Sequence, residues 1–219
     1  MFASFLADRF FGIKLYIQWI TLLMVAILFC LNREQGIYML VGFLSIIPHE
    51  YGHSLAARKM GNTVGDILIT PLGGMANVSI RPFDPRNELL VTIAGPAVNC
   101  VICLAATLAL FIPWDNQIYQ SSLICVAAVN LVIVIFNLLP IFPLDGGRIF
   151  RASLAYFIQE PRATKIACGV SMMMCIALGS FGIFSRNIMM VLMAGFIFGL
   201  SRIEYEMMCR AVEKRDLQD

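Results

Sequence analysis

The sequence predicts an all-α polytopic membrane protein with about six transmembrane helices and a small β-hairpin between the second and third helices. Apolar residues make up 59% of the 219 residues and charged residues 14%, against roughly 45–50% and about 25% in soluble domains. The mean hydropathy is +0.81. A soluble monomer of this size could not bury so much apolar surface, and a net charge of +2 is too small to favour nucleic acid as a partner. The remaining class is a protein embedded in a lipid bilayer.

Six stretches without Asp, Glu, Lys or Arg support the helix count, namely residues 15–31, 36–49, 89–114, 116–144, 166–185 and 187–201. A helix needs about 20 mostly apolar residues to cross the hydrocarbon core. The second stretch must therefore continue through His49 to about residue 57, and the sixth is also short. The first stretch could instead be a signal peptide, but no small-x-small cleavage site precedes Asn32, which favours a retained helix.

Lysine and arginine side chains predict the orientation of these helices. Fourteen of the 16 would lie on one side of the membrane, and only Arg33 and Arg186 on the other. Because basic residues accumulate in cytoplasmic loops, both termini are expected in the cytoplasm. The small chain without insertions predicts a prokaryotic cell membrane as its location.

Cysteine and methionine residues fall mostly within the predicted helices, where both types pack as apolar side chains. Cys100 and Cys103 form a CxxC pair, but neither a second pair nor a nearby histidine completes a zinc set. The methionine run at 172–174 is interpreted as packing for the same reason.

The segment His49-Glu50-Tyr51-Gly52-His53 is an HExxH motif near the end of the second helix. Residues four apart share one face of a helix, so both imidazoles can reach one metal ion, and Glu50 can take a proton from water. The chain has 2 histidines, and both are in this motif. Ionisable groups within an apolar segment are costly and typical of functional sites. The motif therefore predicts a metal centre toward the cytoplasmic side of the membrane.

A carboxylate is the expected third ligand, because zinc hydrolases usually present three protein ligands and leave a fourth position open. Asp145 is the candidate, since it follows a long apolar run at the cytoplasmic end of the fourth helix. Pro140 and Pro143 would end or kink that helix, and Gly146 allows a tight turn. Asp145 could instead cap the amphipathic segment that follows it. Its placement on the same side of the membrane as HExxH favours the metal role.

Together these motifs resemble the site-2 protease family of intramembrane zinc metalloproteases. The matching segments are HEYGH at 49–53 and NLLPIFPLDGGR at 137–148, and GPAVN at 95–99 and PLGG at 71–74 are also similar. The resemblance extends over about residues 13–202. It implies Zn²⁺ on His49, His53 and Asp145, Glu50 as the catalytic residue, and a transmembrane protein as substrate.

The expected domain organisation is a single membrane-embedded core at 1–202 with a short cytoplasmic tail at 203–219. Many members of the family carry a PDZ or CBS domain, and none is expected here because 17 residues follow Arg202. Control of the activity would then need another device, such as a regulatory membrane partner.

The reaction implied by the resemblance is hydrolysis of a peptide bond in or near the transmembrane segment of a membrane protein. Glu50 would take the proton of the attacking water and deliver it to the leaving amine. Asn137, on the last turns of the fourth helix, is the candidate for stabilising the oxyanion, although an interhelical hydrogen bond would explain it equally well. Asn99 and Asn130 are weaker candidates for the same role.

Residues 63–81 predict the β-hairpin. Ala76, Val78 and Ile80 alternate with polar residues, and Gly73-Gly74 suits a turn. We expect the edge of this hairpin to receive an unwound substrate as an added strand.

Two other classes of function remain open. One is a metal transporter or sensor that uses the same ligands as a binding station, and the other is a non-catalytic relative. Transport would favour ionisable groups along the helices toward the far side, where the sequence has none, and an intact Glu50 argues against a non-catalytic role.

Overall fold

Helices dominate the fold, with a small sheet near the N-terminus. The computed structural model describes residues 4–71, 73–79, 83–113 and 116–216. In chain order the elements are β1 (Ser4–Phe10), β2 (Ile13–Gln18), α1 (Trp19–Leu31), α2 (Arg33–Lys59), β3 (Thr63–Thr70), β4 (Gly73–Ser79), α3 (Pro85–Ala109), α4 (Gln117–Asn137), α5 (Asp145–Ala155), α6 (Glu160–Phe184) and α7 (Ile188–Asp216). They form two compact units, Met1–Ile135 and Phe136–Asp219, each of which is described by itself.

Four of the described helices are long and apolar enough to cross a membrane: α3, α4, α6 and the Ile188–Met207 part of α7. The chain is therefore an integral membrane protein. Helix α1 has 13 residues, fewer than a perpendicular span needs, and α2 has 27 but carries charged residues at both ends and around its HExxH motif. The count of six spans stays a prediction.

The sheet is larger than the sequence predicts. Its strand order is β1-β2-β3-β4, so the hairpin β3–β4 is half of a four-stranded sheet. Strand β2 pairs in parallel with β3 through Leu15↔Ile67 and two further pairs, and antiparallel with β1. The first apolar stretch is consequently not helical throughout, because its initial residues belong to β2 and α1 begins only at Trp19.

The core of the first unit holds this sheet against α2. Ile13 and Leu15 of β2 are buried together with Ile67 and Ile69 of β3, the alternate residues of each strand. Phe43 and Tyr51 of α2 complete the cluster, and the Tyr51 hydroxyl donates to the Ile13 carbonyl at 3.4 Å. The sheet thus packs against α2 beside the HExxH motif.

The turn between β3 and β4 is held by the Thr70 hydroxyl, which donates to the Gly73 carbonyl at 2.9 Å. Gly73 has φ of 130°, a conformation that side chains with a Cβ rarely adopt. The strands pair antiparallel from Thr70↔Gly73 to Thr63↔Ser79, with an irregularity between Val64 and Ile67. Leu72, Ile80, Arg81 and the side chains of Ala76 and Val78 lie outside the described part of the chain.

A polar side chain caps the N-terminus of α2, which contains the HExxH motif, and another caps the N-terminus of α3. Asn32 caps α2 by accepting a hydrogen bond from the Gln35 amide at 3.2 Å, and Asp84 caps α3 by accepting from the Arg86 amide at 3.0 Å. Helix α2 packs against α1, α3 and β4.

The second unit contains α5, α6 and α7, with α6 packed against both neighbours. Ile141 and Phe142, in the loop before α5, are buried against these helices. Helix α7 continues without interruption past Arg202 to Asp216, so most of the segment expected to be a tail is helical. The organisation into one core domain at 1–202 stays a prediction.

Candidate metal centre

His49 and His53 lie one turn apart on α2, and their rings point to a common position. The two Nε2 atoms are 3.1 Å apart, and the ring planes cross at 86°. His49 is 4% exposed. The helix spacing predicted from the motif therefore brings both imidazoles together in a buried place.

Hydrogen bonds on the opposite side of each ring determine which nitrogen carries the proton. His53 Nδ1 is 2.9 Å from the Val91 carbonyl, and His49 Nδ1 is 2.5 Å from Asn99 Oδ1. Both partners are acceptors on α3, so both Nδ1 atoms must be donors. In the neutral rings each Nε2 then presents a lone pair.

Asn99 is itself fixed by a buried polar network. Its amide nitrogen donates to Asn130 Oδ1 at 2.7 Å and to the Ser45 carbonyl at 3.3 Å. Asn130 Nδ2 donates in turn to the Ser45 hydroxyl at 3.0 Å and to the Val126 carbonyl at 2.8 Å. Both asparagines are 0% exposed. Since the Asn99 nitrogen is occupied as a donor, its oxygen is the atom that faces His49.

The facing Nε2 lone pairs fit a cation. Two lone pairs 3.1 Å apart repel each other unless a positive charge lies between them. Nitrogens at about 2.0–2.1 Å from a tetrahedral zinc ion would be about 3.3 Å apart. Asp145 of the second unit is the expected third ligand. Two imidazoles and one carboxylate are a donor set for Zn²⁺ that leaves the fourth position open.

Two glycines allow close approach to the motif side chains. A Cβ on Gly95 of α3 would lie 2.8 Å from His49 Nε2 and would also overlap the ring of His53. A Cβ on Gly74 of β4 would lie 2.6 Å from Glu50 Oε1. Glu50 is 8% exposed, so the backbone of β4 covers the carboxylate of the expected catalytic residue.

Asp145 is the first residue of α5 and is 8% exposed. The N-cap of this helix is Leu144, and no side chain caps it. The alternative role of Asp145 as a helix cap is therefore not observed, although a carboxylate in the first turn is favoured by the helix dipole. Gly147 lies tightly against the preceding loop, since a Cβ there would be 2.8 Å from the Phe142 amide nitrogen.

A closed ring of hydrogen bonds fixes the loop before Asp145. The Phe142 amide donates to Ser171 Oγ of α6 at 2.9 Å, and the Ser201 hydroxyl of α7 donates to the Phe142 carbonyl. The two serine oxygens are 2.8 Å apart, so the Ser171 proton must point to Ser201. Both serines are 0% exposed. The ring satisfies both backbone polar groups of Phe142, a buried residue three positions before the carboxylate.

Asn137, the predicted oxyanion residue, is the last residue of α4 and is half-buried. Asn99 and Asn130, the weaker candidates for that role, instead form the hydrogen-bond network behind His49. Sequence reasoning did not identify this contact, nor the roles of Ser171 and Ser201. The available signal was the presence of amide and hydroxyl side chains within apolar helices, which usually need a polar partner.

Comparison with known proteins extends the likeness beyond the motifs. A zinc metalloprotease of Methanocaldococcus jannaschii is 32% identical over 213 residues, which is 94% of this chain and 62% of that protein. Stage IV sporulation protein FB of Bacillus subtilis is 28% identical over 64% of this chain and 48% of its own length. The chain therefore spans less than two thirds of these curated relatives.

A solved structure shows the same likeness in three dimensions. The site-2 protease from M. jannaschii superposes with a TM-score of 0.66 at 27% identity, covering 93% of this chain and 95% of that one. The sequence profile of Peptidase family M50 matches residues 37–117 and 114–178. These segments make up more than half of the chain and contain all three candidate ligands as well as Glu50, and the chain belongs to Peptidase family M50.

Proposed function

We propose that this chain is an intramembrane zinc metalloprotease that hydrolyses peptide bonds in or near the transmembrane segment of membrane proteins. The observation that carries the proposal is that the Nε2 atoms of His49 and His53 face each other at 3.1 Å. They lie beside Glu50 in a helix of an integral membrane protein. Membership of a peptidase family supports hydrolysis as the reaction. The names of the relatives support zinc as the metal.

The roles of the side chains follow from their chemistry. His49, His53 and Asp145 would hold Zn²⁺, which when bound activates water and polarises the scissile carbonyl. Glu50 accepts the proton of the attacking water on its carboxylate and returns it to the leaving amine. The Asn99 network keeps the His49 proton on Nδ1, and the Val91 carbonyl does the same for His53. Asn137 is the proposed donor to the oxyanion.

The substrate would bind along β4. Strand β4 is at the edge of the sheet, and Gly74 lies against Glu50. An unwound substrate segment added to this edge would place its backbone next to the catalytic carboxylate. We expect Ala76→Pro or Val78→Pro to reduce turnover and to leave bound zinc unchanged, because proline removes a backbone donor and its ring crowds an added strand. Normal turnover in both variants would contradict strand addition.

The membrane arrangement is part of the proposal. We infer six spans, both termini in the cytoplasm and the site toward the cytoplasmic side, as the distribution of basic residues favours. We also infer a single core at 1–202 and, from its small size without insertions, a prokaryotic cell membrane. A regulatory membrane partner is the proposed source of control. A protease-sensitive tag after Asp219 should be cleaved in inside-out vesicles and protected in right-side-out vesicles, and the reverse pattern would contradict this orientation.

The test compares three proteins purified in detergent: wild type, Glu50→Gln, and Glu34→Gln as a matched control on the same helix. Bound zinc is measured together with cleavage of a single-span substrate. We expect about one zinc in each, and cleavage by wild type and Glu34→Gln only, since a carboxamide in place of the Glu50 carboxylate cannot accept the proton. Cleavage retained in Glu50→Gln would refute its assignment as the base.

The same test separates the other two classes of function. A metal transporter or sensor would bind zinc but cleave nothing in wild type, and Glu50→Gln would alter the transport or affinity of the metal. A non-catalytic relative would show neither cleavage nor transport.

A further inference from the structure

An apolar cavity of about 650 Å³ lies in the first unit, beside the HExxH helix. It is a typical volume for a ligand site. Its wall includes residues of α2, of α4 and of the β3–β4 turn, among them Met39, Phe43, Ile46, Gly73, Val129 and Val132. The mechanism proposed above uses none of these side chains.

The cavity lies along the face of α2 that presents Glu50. Counting back from Glu50, Ile46, Phe43 and Met39 are four, seven and eleven residues away, the spacing of one helix face. The wall also includes Gly73, the neighbour in β4 of the glycine that contacts the Glu50 carboxylate. The cavity wall therefore ends one helical turn from Glu50 on α2 and one residue from Gly74 on β4.

We propose that this cavity is a specificity site for a large apolar side chain of the substrate. The proposal rests on the function proposed above. With a rise of about 1.5 Å per residue, Ile46 is roughly 6 Å and Phe43 roughly 10 Å along α2 from Glu50. An extended substrate advances about 3.3 Å per residue, so the side chain in the cavity is about the third from the scissile bond. It lies on the side away from Arg58 and Lys59, the basic end of α2.

The chemistry of the wall defines the preferred residue. Leucine, isoleucine or phenylalanine would bury its apolar surface there, while alanine would leave space unfilled and lysine would lose its hydration. Gly42 lies in the wall on α2, and a Cβ on it would meet only Val129 Cγ1, at 4.0 Å. A larger residue at this position would therefore grow into the cavity without disturbing the helix, since glycine is a poor helix former.

The experiment measures kcat/KM in detergent for single-span substrates with Phe, Leu, Ala or Lys three residues from the scissile bond. Wild type should prefer Phe and Leu over Ala by about 10-fold or more, the usual discrimination of an apolar pocket. Gly42→Leu should remove most of that preference and leave the Ala substrate within about twofold, with Gly42→Ala intermediate. Gly169→Leu is the matched control, since a Cβ at Gly169 of α6 meets nothing within 4 Å.

The outcomes separate the cavity from the function. If Gly42→Leu lowers kcat/KM equally on every substrate, or leaves the preference unchanged, the cavity assignment is overturned. Cleavage by wild type would in that case still support the proposed protease function. Absence of cleavage by wild type on all four substrates would overturn the proposed function and the cavity assignment with it.

A photo-crosslinking residue at Val132 in Glu50→Gln, in liposomes, gives a second measurement that does not depend on the Gly42 variants. Crosslinks to the third residue of the substrate are expected. Crosslinks to lipid alone would identify the cavity as an acyl-chain site and overturn the assignment.

Discussion

Removal of the Asn99 amide provides a test of how the site holds its metal. Asn99→Ala leaves two buried side-chain groups without their present partner, the His49 Nδ1–H and the Asn130 Oδ1, and removes one donor from the Ser45 carbonyl. Each such group costs about 1–3 kcal/mol, so the free energy of unfolding should fall by about 2–6 kcal/mol. Loss of the partner behind a metal-ligating histidine typically lowers metal affinity 10–100-fold, which corresponds to about 1.4–2.7 kcal/mol.

Asn99→Asp separates the hydrogen bond to His49 from the packing of the side chain. The aspartate is the same size and still accepts from Nδ1–H, so zinc affinity should stay within about threefold of wild type or exceed it. It cannot donate to Asn130 Oδ1 or to the Ser45 carbonyl, so the free energy of unfolding should still fall. Asn87→Ala is the matched control, because Asn87 is also on α3 but its amide bonds with Asn62, at 2.7 and 3.2 Å. Zinc affinity of this variant should equal that of wild type.

The assay is competition for zinc between the protein in detergent and a chromogenic chelator. Thermal unfolding at saturating zinc shows separately that each variant is folded. Wild-type affinity in Asn99→Ala would refute the reasoning, because the bond to His49 would then contribute nothing. Equal weakening in Ala and Asp would also refute it, since loss of the bonds that the Asn99 amide nitrogen donates would then account for the effect without the bond to His49.

Three further predictions concern positions next to the site. Gly95→Ala should lower zinc affinity at least 10-fold, since its methyl would displace the ligand rings, whereas Gly169→Ala should leave it unchanged. Gly74→Ala should reduce turnover and retain zinc, because the new methyl meets the Glu50 carboxylate; normal turnover would contradict the contact. Ser171→Ala and Ser201→Ala should each destabilise by about 1–3 kcal/mol in thermal unfolding, and the double variant should lose less than the sum, since both belong to one ring.

The proximity of the two candidate ligands on α2 was predictable because both histidines lie within one helix. Four residues of spacing determine that His49 and His53 share a face, whatever the rest of the chain does. The choice of Asp145 as a candidate ligand required more information, namely the apolar run before it and the resemblance to a family. These are local patterns, and local patterns are what a single sequence shows.

The contacts that hold the ligands were not predictable, because they join distant parts of the chain. His49 and Asn99 are 50 residues apart, and Asn130 and Ser45 are 85 apart. Polarity marked Asn99 as a residue that needs a partner, but not which partner. The assignment to the oxyanion was one of several that the sequence allowed.

Strand β2 has an alternating pattern of apolar and polar residues that the sequence analysis did not use. Ile13, Leu15 and Ile17 alternate with Lys14, Tyr16 and Gln18, which is the period of a strand. Because residues 15–31 carry no charge, they were interpreted as a membrane-spanning helix that begins at Leu15. Whether those residues pair as a strand is decided by β3, about 50 residues later in the chain.

The parallel pairing of β2 with β3 matters to anyone who chooses where recombinant expression of this protein should begin. An isolated two-stranded hairpin is at best marginally stable in water, and here β3–β4 is supported by β2 and, through it, by β1. A start site placed just before α1 would keep every candidate metal ligand yet remove both supporting strands. Such a shortened protein would be expected to bind zinc and still misplace β4, so a full metal load is no proof that the N-terminus can be spared.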